Sequence, residues 1–189
     1  MTISTIGHST HPIEEFLSIL RAHGIRRLVD VRTIPRSRRN PQFDRENLPG
    51  SLQSADIEYR HLPGLGGLRH ARKDSMNTGW RNASFRGYAD YMQTPEFDEN
   101  LIRLIEIAAE VPTAIMCAEA VPWRCHRSLI ADALVARGIQ ALDILSAAKS
   151  QPHAMTPFAK LEGRQVIYPP AASPDKATSL DLPLFSQLE

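Results

Sequence analysis

The stretch that decides the fold is ISTIGHSTHPIEEFLSILRAHGIRRLVDVR, residues 3–32. It opens with a short apolar strand, and a second strand follows at residues 27–32. The centre of that second strand is apolar on both sides, as expected when helices cover both faces of a sheet. Between the strands, Pro12 and two glutamates mark the start of a helix whose apolar residues recur at helical spacing, and Gly24 ends it. The stretch is therefore a β-α-β unit.

The same alternation continues to residue 145. Further strands are predicted at residues 58–62, 111–116 and 141–145, with a weaker helix at 46–55, a helix from Thr94 to about 108, and another that begins within 122–127 and stops at Gly138. A small hairpin is predicted at 160–168. Strands that alternate with helices predict an α/β fold, an open and mostly parallel sheet of about five strands flanked by helices.

Length and composition limit the class of protein. The chain has 189 residues, of which 42% are apolar and 23% charged, and this excludes disorder, collagen and coiled coil. We expect a single α/β domain over residues 1–168 and a flexible Pro/Ala/Ser-rich tail over 169–189. No apolar run approaches the roughly 20 residues that cross a bilayer, and no signal peptide is visible, so we predict a cytoplasmic protein without a membrane partner. Its two cysteines are then expected to be reduced.

The charge is unevenly distributed. The net charge is only +1, but residues 21–86 hold 14 basic side chains, 13 of them arginine, against 6 acidic ones. Arginine binds phosphate and carboxylate through a planar fork of N–H donors. An anionic or nucleotide-like ligand is the first functional indication, and nucleic acid is the alternative.

Polar and titratable residues follow four of the five predicted strands. Because ligands of open parallel sheets bind beyond the carboxyl ends of the strands, we expect one shared site there. The candidate reactive residues are His8, Cys117, Glu119, Cys125 and His126. The candidate substrate-binding residues are Asp30, Arg32, Arg36, Arg38, Gly66, Gly67, Tyr88 and Arg127.

Residues 117–128 leave three chemistries open. A thiolate at the start of a helix has a lowered pKa, so either cysteine could be a nucleophile with His8 or His126 as proton carrier. Arginines and backbone N–H groups could instead hold a phosphate while a glutamate acts as acid or base. A divalent metal on Cys117, Cys125 and His126 is possible but not favoured, because the spacing matches no recognised closed site. The cofactor stays unknown.

Residues 64–84 show no periodicity, and loops of this length inside a domain are usually functional or disordered. We interpret the segment as a lid over the site.

Six motifs in order resemble one known family. They are TIGHST (5–10), LVDVR (28–32), PRSR (35–38), LGG (65–67), FRGY (85–88), and CAE through CHR (117–127). Together they are similar to the family labelled domain of unknown function 488, over residues 3–168. The resemblance implies a Rossmann-like α/β fold and no settled activity.

Two looser resemblances are present. The run VDVR and a strand-ending Cys117 before Arg127 resemble rhodaneses and cysteine phosphatases, although the interval between the two residues is longer here and contains a second cysteine. Residues 180–185, LDLPLF, resemble peptides that dock on bacterial sliding clamps, without their leading Gln.

The leading hypothesis is an enzyme, a hydrolase or transferase, that binds a phosphate-bearing or nucleotide-like substrate. The alternatives are a rhodanese-like or phosphatase-like thiolate enzyme and a nucleic-acid-binding module linked to DNA maintenance.

Overall fold

The computed structural model describes residues 1–171 of the chain. Its elements are, in order, β1 (Thr2–Gly7), α1 (Ile13–Ala22), β2 (Arg27–Asp30), α2 (Leu48–Gln53), β3 (Glu58–His61), α3 (Ala83–Tyr91), α4 (Pro95–Ala108), β4 (Thr113–Cys117), α5 (Arg127–Val135), β5 (Gln140–Ser146), β6 (Lys149–Pro152), β7 (Lys160–Glu162) and β8 (Gln165–Ile167). Short 3-10 turns lie at Pro41–Phe43, Pro63–Leu65 and Pro122–Arg124.

The main sheet has the strand order β3-β2-β4-β1-β5-β6. Strands β1 to β5 run parallel, whereas β6 pairs antiparallel with β5. A separate antiparallel hairpin joins β7 and β8. The predicted α/β fold, a mostly parallel sheet with a small hairpin, is confirmed.

Two hydrophobic clusters lie on opposite faces of the sheet. Successive side chains of a strand point to opposite faces, and in β4 Ala114 and Met116 belong to one cluster whereas Ile115 belongs to the other. The first cluster contains residues of α1 and α2, and the second contains residues of α3, α4 and α5. The sheet is thus covered on both sides, as the doubly apolar centre of β2 predicts.

The sequence patterns did not predict two of the elements, α3 and β6. Helix α3 begins at an Asn82 cap, whose side chain accepts hydrogen bonds from the N–H groups of Ser84 and Phe85. The sequence does not predict this helix because Gly87 lies at its centre and glycine is a poor helix former. The structure requires glycine at this position, since a Cβ would lie 2.6 Å from the Arg69 carbonyl oxygen. Strand β6 is polar and exposed throughout, so it carries no burial pattern.

No helix within residues 1–171 has the length and apolar character needed to cross a membrane. The predicted clamp-docking peptide at 180–185 and most of the predicted tail lie outside the described residues.

Candidate functional site

The connections of the sheet change direction between β1 and β4. From β1 the chain crosses to β2, beyond β4, whereas from β4 it crosses to β5, beyond β1. The last residues of the two strands, Gly7 and Cys117, are paired in register. Open parallel sheets bind ligands outside such a switch point. A crevice of about 400 Å³ lies there.

Eight of the thirteen predicted site residues line this crevice, so the strand-end rule places most of them together. They are His8, Arg32, Arg36, Gly67, Cys117, Glu119, Cys125 and His126. The wall is completed by eight residues that are not among the predicted site residues, namely Thr33, Ile34, Ser37, Leu68, Ser84, Phe85, Ala118 and Arg124. The roles of all these residues stay predictions.

Arg32 is held at one side of the crevice by a buried carboxylate. Its Nε and Nη2 donate to the two oxygens of Asp30, at 2.9 and 2.6 Å, and Nη2 also donates to the Phe43 carbonyl at 2.7 Å. Asp30 is fully buried, so it acts by fixing Arg32 and does not reach the crevice. The Asp30 carboxylate neutralises most of the charge that Arg32 would otherwise offer to a ligand.

His8 shares this arrangement. Its Nδ1 lies 2.9 Å from the Ser9 carbonyl, so Nδ1 carries the proton, and Nε2 accepts from Arg32 Nη1 at 3.2 Å. The ring stacks on Phe43 with centroids 4.2 Å apart. Burial, with the nearby Arg32 charge, lowers the pKa of His8 to about 4. His8 is therefore a neutral imidazole whose two nitrogens are both engaged, which favours a positioning role.

His126 is the second imidazole that lines the crevice. Its Nε2 lies 3.2 Å from the Val31 carbonyl and must donate, so Nδ1 holds the lone pair and faces Cys125 Sγ at 3.5 Å. Burial lowers the pKa of His126 to about 4. Gly67 packs so closely that a Cβ would lie 2.6 Å from Nδ1, and the Tyr88 ring lies 5.1 Å from the imidazole. His126 is thus a neutral, oriented proton acceptor.

Two further predicted binding residues act behind the wall. Tyr88 is fully buried and donates its hydroxyl to the Leu65 carbonyl at 2.9 Å. Gly66 has no room for a side chain, because a Cβ would lie 2.2 Å from Thr33 Oγ1. Both shape the wall and neither lines the crevice.

Arg127 lies beneath the crevice and not in it. It is fully buried; Nη1 donates to Cys117 Sγ at 2.9 Å and Nη2 to the Ala120 carbonyl at 2.9 Å. Nη1 also donates to the Glu119 carbonyl, and Nε has no hydrogen-bond partner among residues 1–171. Burial lowers the pKa of Arg127 to about 10. The expected ligand-facing arginine instead folds the loop after β4 and places positive charge against a sulfur.

Cys117 and Cys125, which are expected to be reduced, lie side by side. The structure brings their sulfur atoms into contact, between the end of β4 and the residue before the α5 cap, with Cα atoms 7.5 Å apart, wider than the roughly 4.4 to 6.8 Å that a disulfide usually spans. The turn at Pro122–Arg124 carries the chain back over the strand end. A separation of eight residues in the sequence does not reveal that contact. Nucleophilic chemistry by either cysteine requires the pair to be in the reduced, dithiol state.

Of the remaining predicted residues, Arg36 and Glu119 lie at the mouth and Arg38 lies outside the lining. Arg36 has a side chain that is 73% exposed, and its nearest carboxylate oxygen is that of Glu46 at 3.9 Å. Glu119 is exposed and lines the crevice. Arg38 is exposed but does not line it.

The predicted lid, residues 64–84, lines the crevice only near its two ends, through Gly67 and Leu68 at one end and Ser84 at the other. Its middle is fixed elsewhere: Asn77 is fully buried, donates to Asp90 at 2.8 Å and accepts from the Tyr168 N–H at 2.9 Å. Movement of the segment stays a prediction.

A buried cluster of aspartates and histidine on α5, β5 and the residue after β6 was missed by the sequence analysis. His153 lies between Asp132 and Asp143, at 2.9 and 3.1 Å. Thr5 donates to Asp143 at 2.8 Å and Tyr168 donates to Asp132 at 2.8 Å. Burial alone would lower the pKa of His153, but the two carboxylates outweigh it and raise the pKa to about 9. The three residues come from separate elements, so no local sequence motif predicts the cluster.

Within the described part of the chain, no group of three or more histidine, cysteine, aspartate or glutamate side chains is arranged to hold a metal ion.

The family comparison agrees with the motifs. The model for the domain of unknown function DUF488 matches residues 12–134. The chain belongs to this family. The match covers β2, β4 and most of α5, and so most of the lining of the crevice, but His8 lies just before it. No curated protein and no solved structure matches the chain.

Proposed function

We propose that this DUF488 protein is an enzyme that binds a phosphate-bearing, nucleotide-like substrate in the switch-point crevice and carries out hydrolysis or group transfer there. The observation that carries the proposal is convergence. Cationic side chains, an apolar wall and an oriented histidine–cysteine pair line the same crevice.

The charge of the crevice favours an anion. Arg36 and Arg124 line it with exposed guanidinium groups, against the single carboxylate of Glu119. His8 and His126 add no charge near pH 7, because their pKa values are lowered to about 4. A phosphate at the mouth would thus meet an excess of positive charge.

The size and the apolar wall favour a ligand with a flat ring. The volume of about 400 Å³ lies in the range of roughly 300 to 1,000 Å³ typical of small-molecule sites. Ile34, Leu68 and Phe85 form the apolar part of the lining. A nucleobase against this wall, with its phosphate towards the arginines, uses both halves of the crevice.

Two side chains of the crevice support proton transfer. His126 Nδ1 is held in position by Val31 and Gly67 and is unprotonated near pH 7, so it is a candidate general base. Glu119 is an exposed carboxylate in the same connection between β4 and α5 that ends at His126, and it is the second acid–base candidate.

The test is calorimetric binding of the four nucleoside monophosphates and of inorganic phosphate, followed by chromatography of the products. We expect at least one nucleotide to bind, and Arg36→Ala to weaken it about tenfold, as for loss of a charge-assisted contact. Arg103→Ala, which removes an exposed arginine of α4 outside the crevice, is the matched control. His126→Gln should retain binding and lose turnover.

Absence of binding by all five ligands, or equal binding by the Arg36→Ala variant, contradicts the proposal.

A second candidate, thiolate chemistry of the rhodanese or phosphatase kind, is favoured by one observation. Each sulfur has its own activating partner: Arg127 Nη1 lies 2.9 Å from Cys117, and His126 Nδ1 lies 3.5 Å from Cys125. A guanidinium stabilises a thiolate and lowers its pKa. After reduction, iodoacetamide at pH 6 should label Cys117 faster than a free thiol peptide. A slower rate than the peptide rules this candidate out.

A further inference from the structure

We propose that the nucleotide in the crevice belongs to a single-stranded nucleic acid, whose neighbouring phosphates lie on the arginines around the mouth. This inference rests on the proposed function and names its substrate class.

The distribution of arginines favours a polymeric ligand over a small free anion. The arginines inside the site are already engaged: Arg32 by the Asp30 carboxylate, and Arg127 by a sulfur and two carbonyls. The available cations are outside, on the rim. A site for an isolated phosphate would direct its inner guanidinium groups at the ligand, whereas a strand that continues beyond the crevice needs charge around the mouth.

The rim cations are exposed, and few face a carboxylate. Arg36 and Arg124 line the mouth, and Arg38 and Arg39 follow on the same turn. No carboxylate among residues 1–171 lies within 4 Å of Arg38, Arg39 or Arg124.

The turn that carries Arg36, Arg38 and Arg39 is itself fixed. The Ser37 N–H donates to Asp44, and the Asn40 N–H donates to Ser37 Oγ at 3.0 Å. Arg38 and Arg39 therefore follow the crevice-lining residues Arg36 and Ser37 directly, on a turn with defined hydrogen bonds.

Exposed apolar side chains accompany these cations. Ile34 is 64% exposed and Leu68 is 71% exposed, and both line the crevice. Trp123, next to Arg124, is 62% exposed. Flat and apolar side chains beside guanidinium groups suit unstacked bases, and a duplex hides the faces of its bases. The geometry points to a single strand.

The experiment measures fluorescence anisotropy of labelled 12-mers, dT12 and U12, from 50 to 300 mM NaCl, beside calorimetry of dTMP and UMP. We expect at least one strand to bind ten times tighter than its mononucleotide or more, with affinity falling as salt rises. A duplex of the same length should bind more weakly.

Matched variants localise the effect. Arg38→Ala with Arg39→Ala should lower strand affinity about tenfold and flatten the salt dependence, since two phosphate contacts are lost, while mononucleotide affinity is unchanged. Arg26→Ala with Arg103→Ala removes two exposed arginines outside the crevice lining and should change neither. Trp123→Ala should weaken strand binding, and Leu161→Ala, at an exposed position in β7, should not.

Two outcomes overturn the inference while leaving the proposed function intact. One is that a mononucleotide binds and neither strand binds tighter. The other is that a strand binds equally well to the Arg38→Ala, Arg39→Ala variant. If neither mononucleotides nor strands bind, the proposed function itself has failed.

Discussion

His126 and His153 are both partly buried histidines, yet their pKa values move in opposite directions. His126 faces a carbonyl and a sulfur, and burial lowers its pKa to about 4. His153 faces two carboxylates, and its pKa rises to about 9. The partners, not burial, decide the charge. The crevice keeps a neutral imidazole that can take a proton, and the aspartate–histidine cluster keeps a charged one that holds α5 to β5.

The largest expected effect comes from removing the charged histidine. His153→Ala leaves two buried aspartates without their shared cation, and breaking a buried pair in this way costs about 3 to 5 kcal/mol. Urea unfolding at pH 7 measures the change. His70→Ala, at an exposed position, is the control and should stay within about 0.5 kcal/mol. A loss below about 1 kcal/mol for His153→Ala would mean that the cluster is not charged as described.

The pH dependence of stability should differ in sign for the two histidines. The folded pKa of His153 is about 9 against an ordinary 6.5, so its contribution is complete below pH 6.5 and is lost as the pH rises through 9. For His126 the folded pKa is about 4, so the unfolded chain takes up the proton first and stability falls from pH 6.5 towards 4. Each histidine changes the free energy of unfolding by at most about 1.4 kcal/mol per pH unit.

Unfolding midpoints measured between pH 5 and 9 test the pH dependence of stability predicted for each histidine. His126→Gln should flatten the acid side and His153→Gln the alkaline side. The comparison fails if either variant flattens the opposite side.

A smaller effect is expected from crowding the neutral histidine. In Gly67→Ala the new Cβ would lie 2.6 Å from His126 Nδ1, so the ring must move, at a cost of about 1 to 3 kcal/mol. The same change should reduce ligand binding in the crevice. Gly50→Ala is the matched control, because its Cβ would have open space. Equal stability and binding in the two variants would exclude close packing of Gly67 on His126.

The smallest effects compare two tyrosines that donate to buried carboxylates. Tyr168 is fully buried and donates to Asp132 at 2.8 Å, whereas Tyr59 is half-buried and donates to Asp30 at 3.0 Å. Tyr168→Phe should cost about 1.5 to 3 kcal/mol and Tyr59→Phe about 0.5 to 1.5 kcal/mol. Thermal unfolding in one buffer ranks the two, and the reverse order would contradict the greater weight of the His153 cluster.

The parts of the fold that were predictable are those with a local pattern. Periodicity and end signals locate β1, α1, β2 and α4 because each repeats apolar residues at one spacing between a start and a stop. Even the proline that seems to interrupt α2 lies in its first turn, where the missing N–H does no harm. Strand β6 lacks buried residues, so no periodicity marks it.

The site was predictable in location but not in detail. Strand ends direct His8, Arg32, Cys117 and Glu119 to one edge of a parallel sheet whatever the strand order. The direction in which each side chain points is not predictable from the strand ends. Arg127 begins α5, yet its guanidinium turns inwards to carbonyls of the preceding loop, and only tertiary contacts show this.

The two outer strands of the main sheet have a consequence for self-association. β3 at one edge carries Glu58 and Arg60, and β6 at the other carries Lys149 and Pro152. Charged residues and proline on edge strands discourage a neighbouring molecule from pairing with the free edge and extending the sheet. We therefore expect the chain to resist edge-to-edge aggregation, and any assembly of copies to be built on helix or loop surfaces.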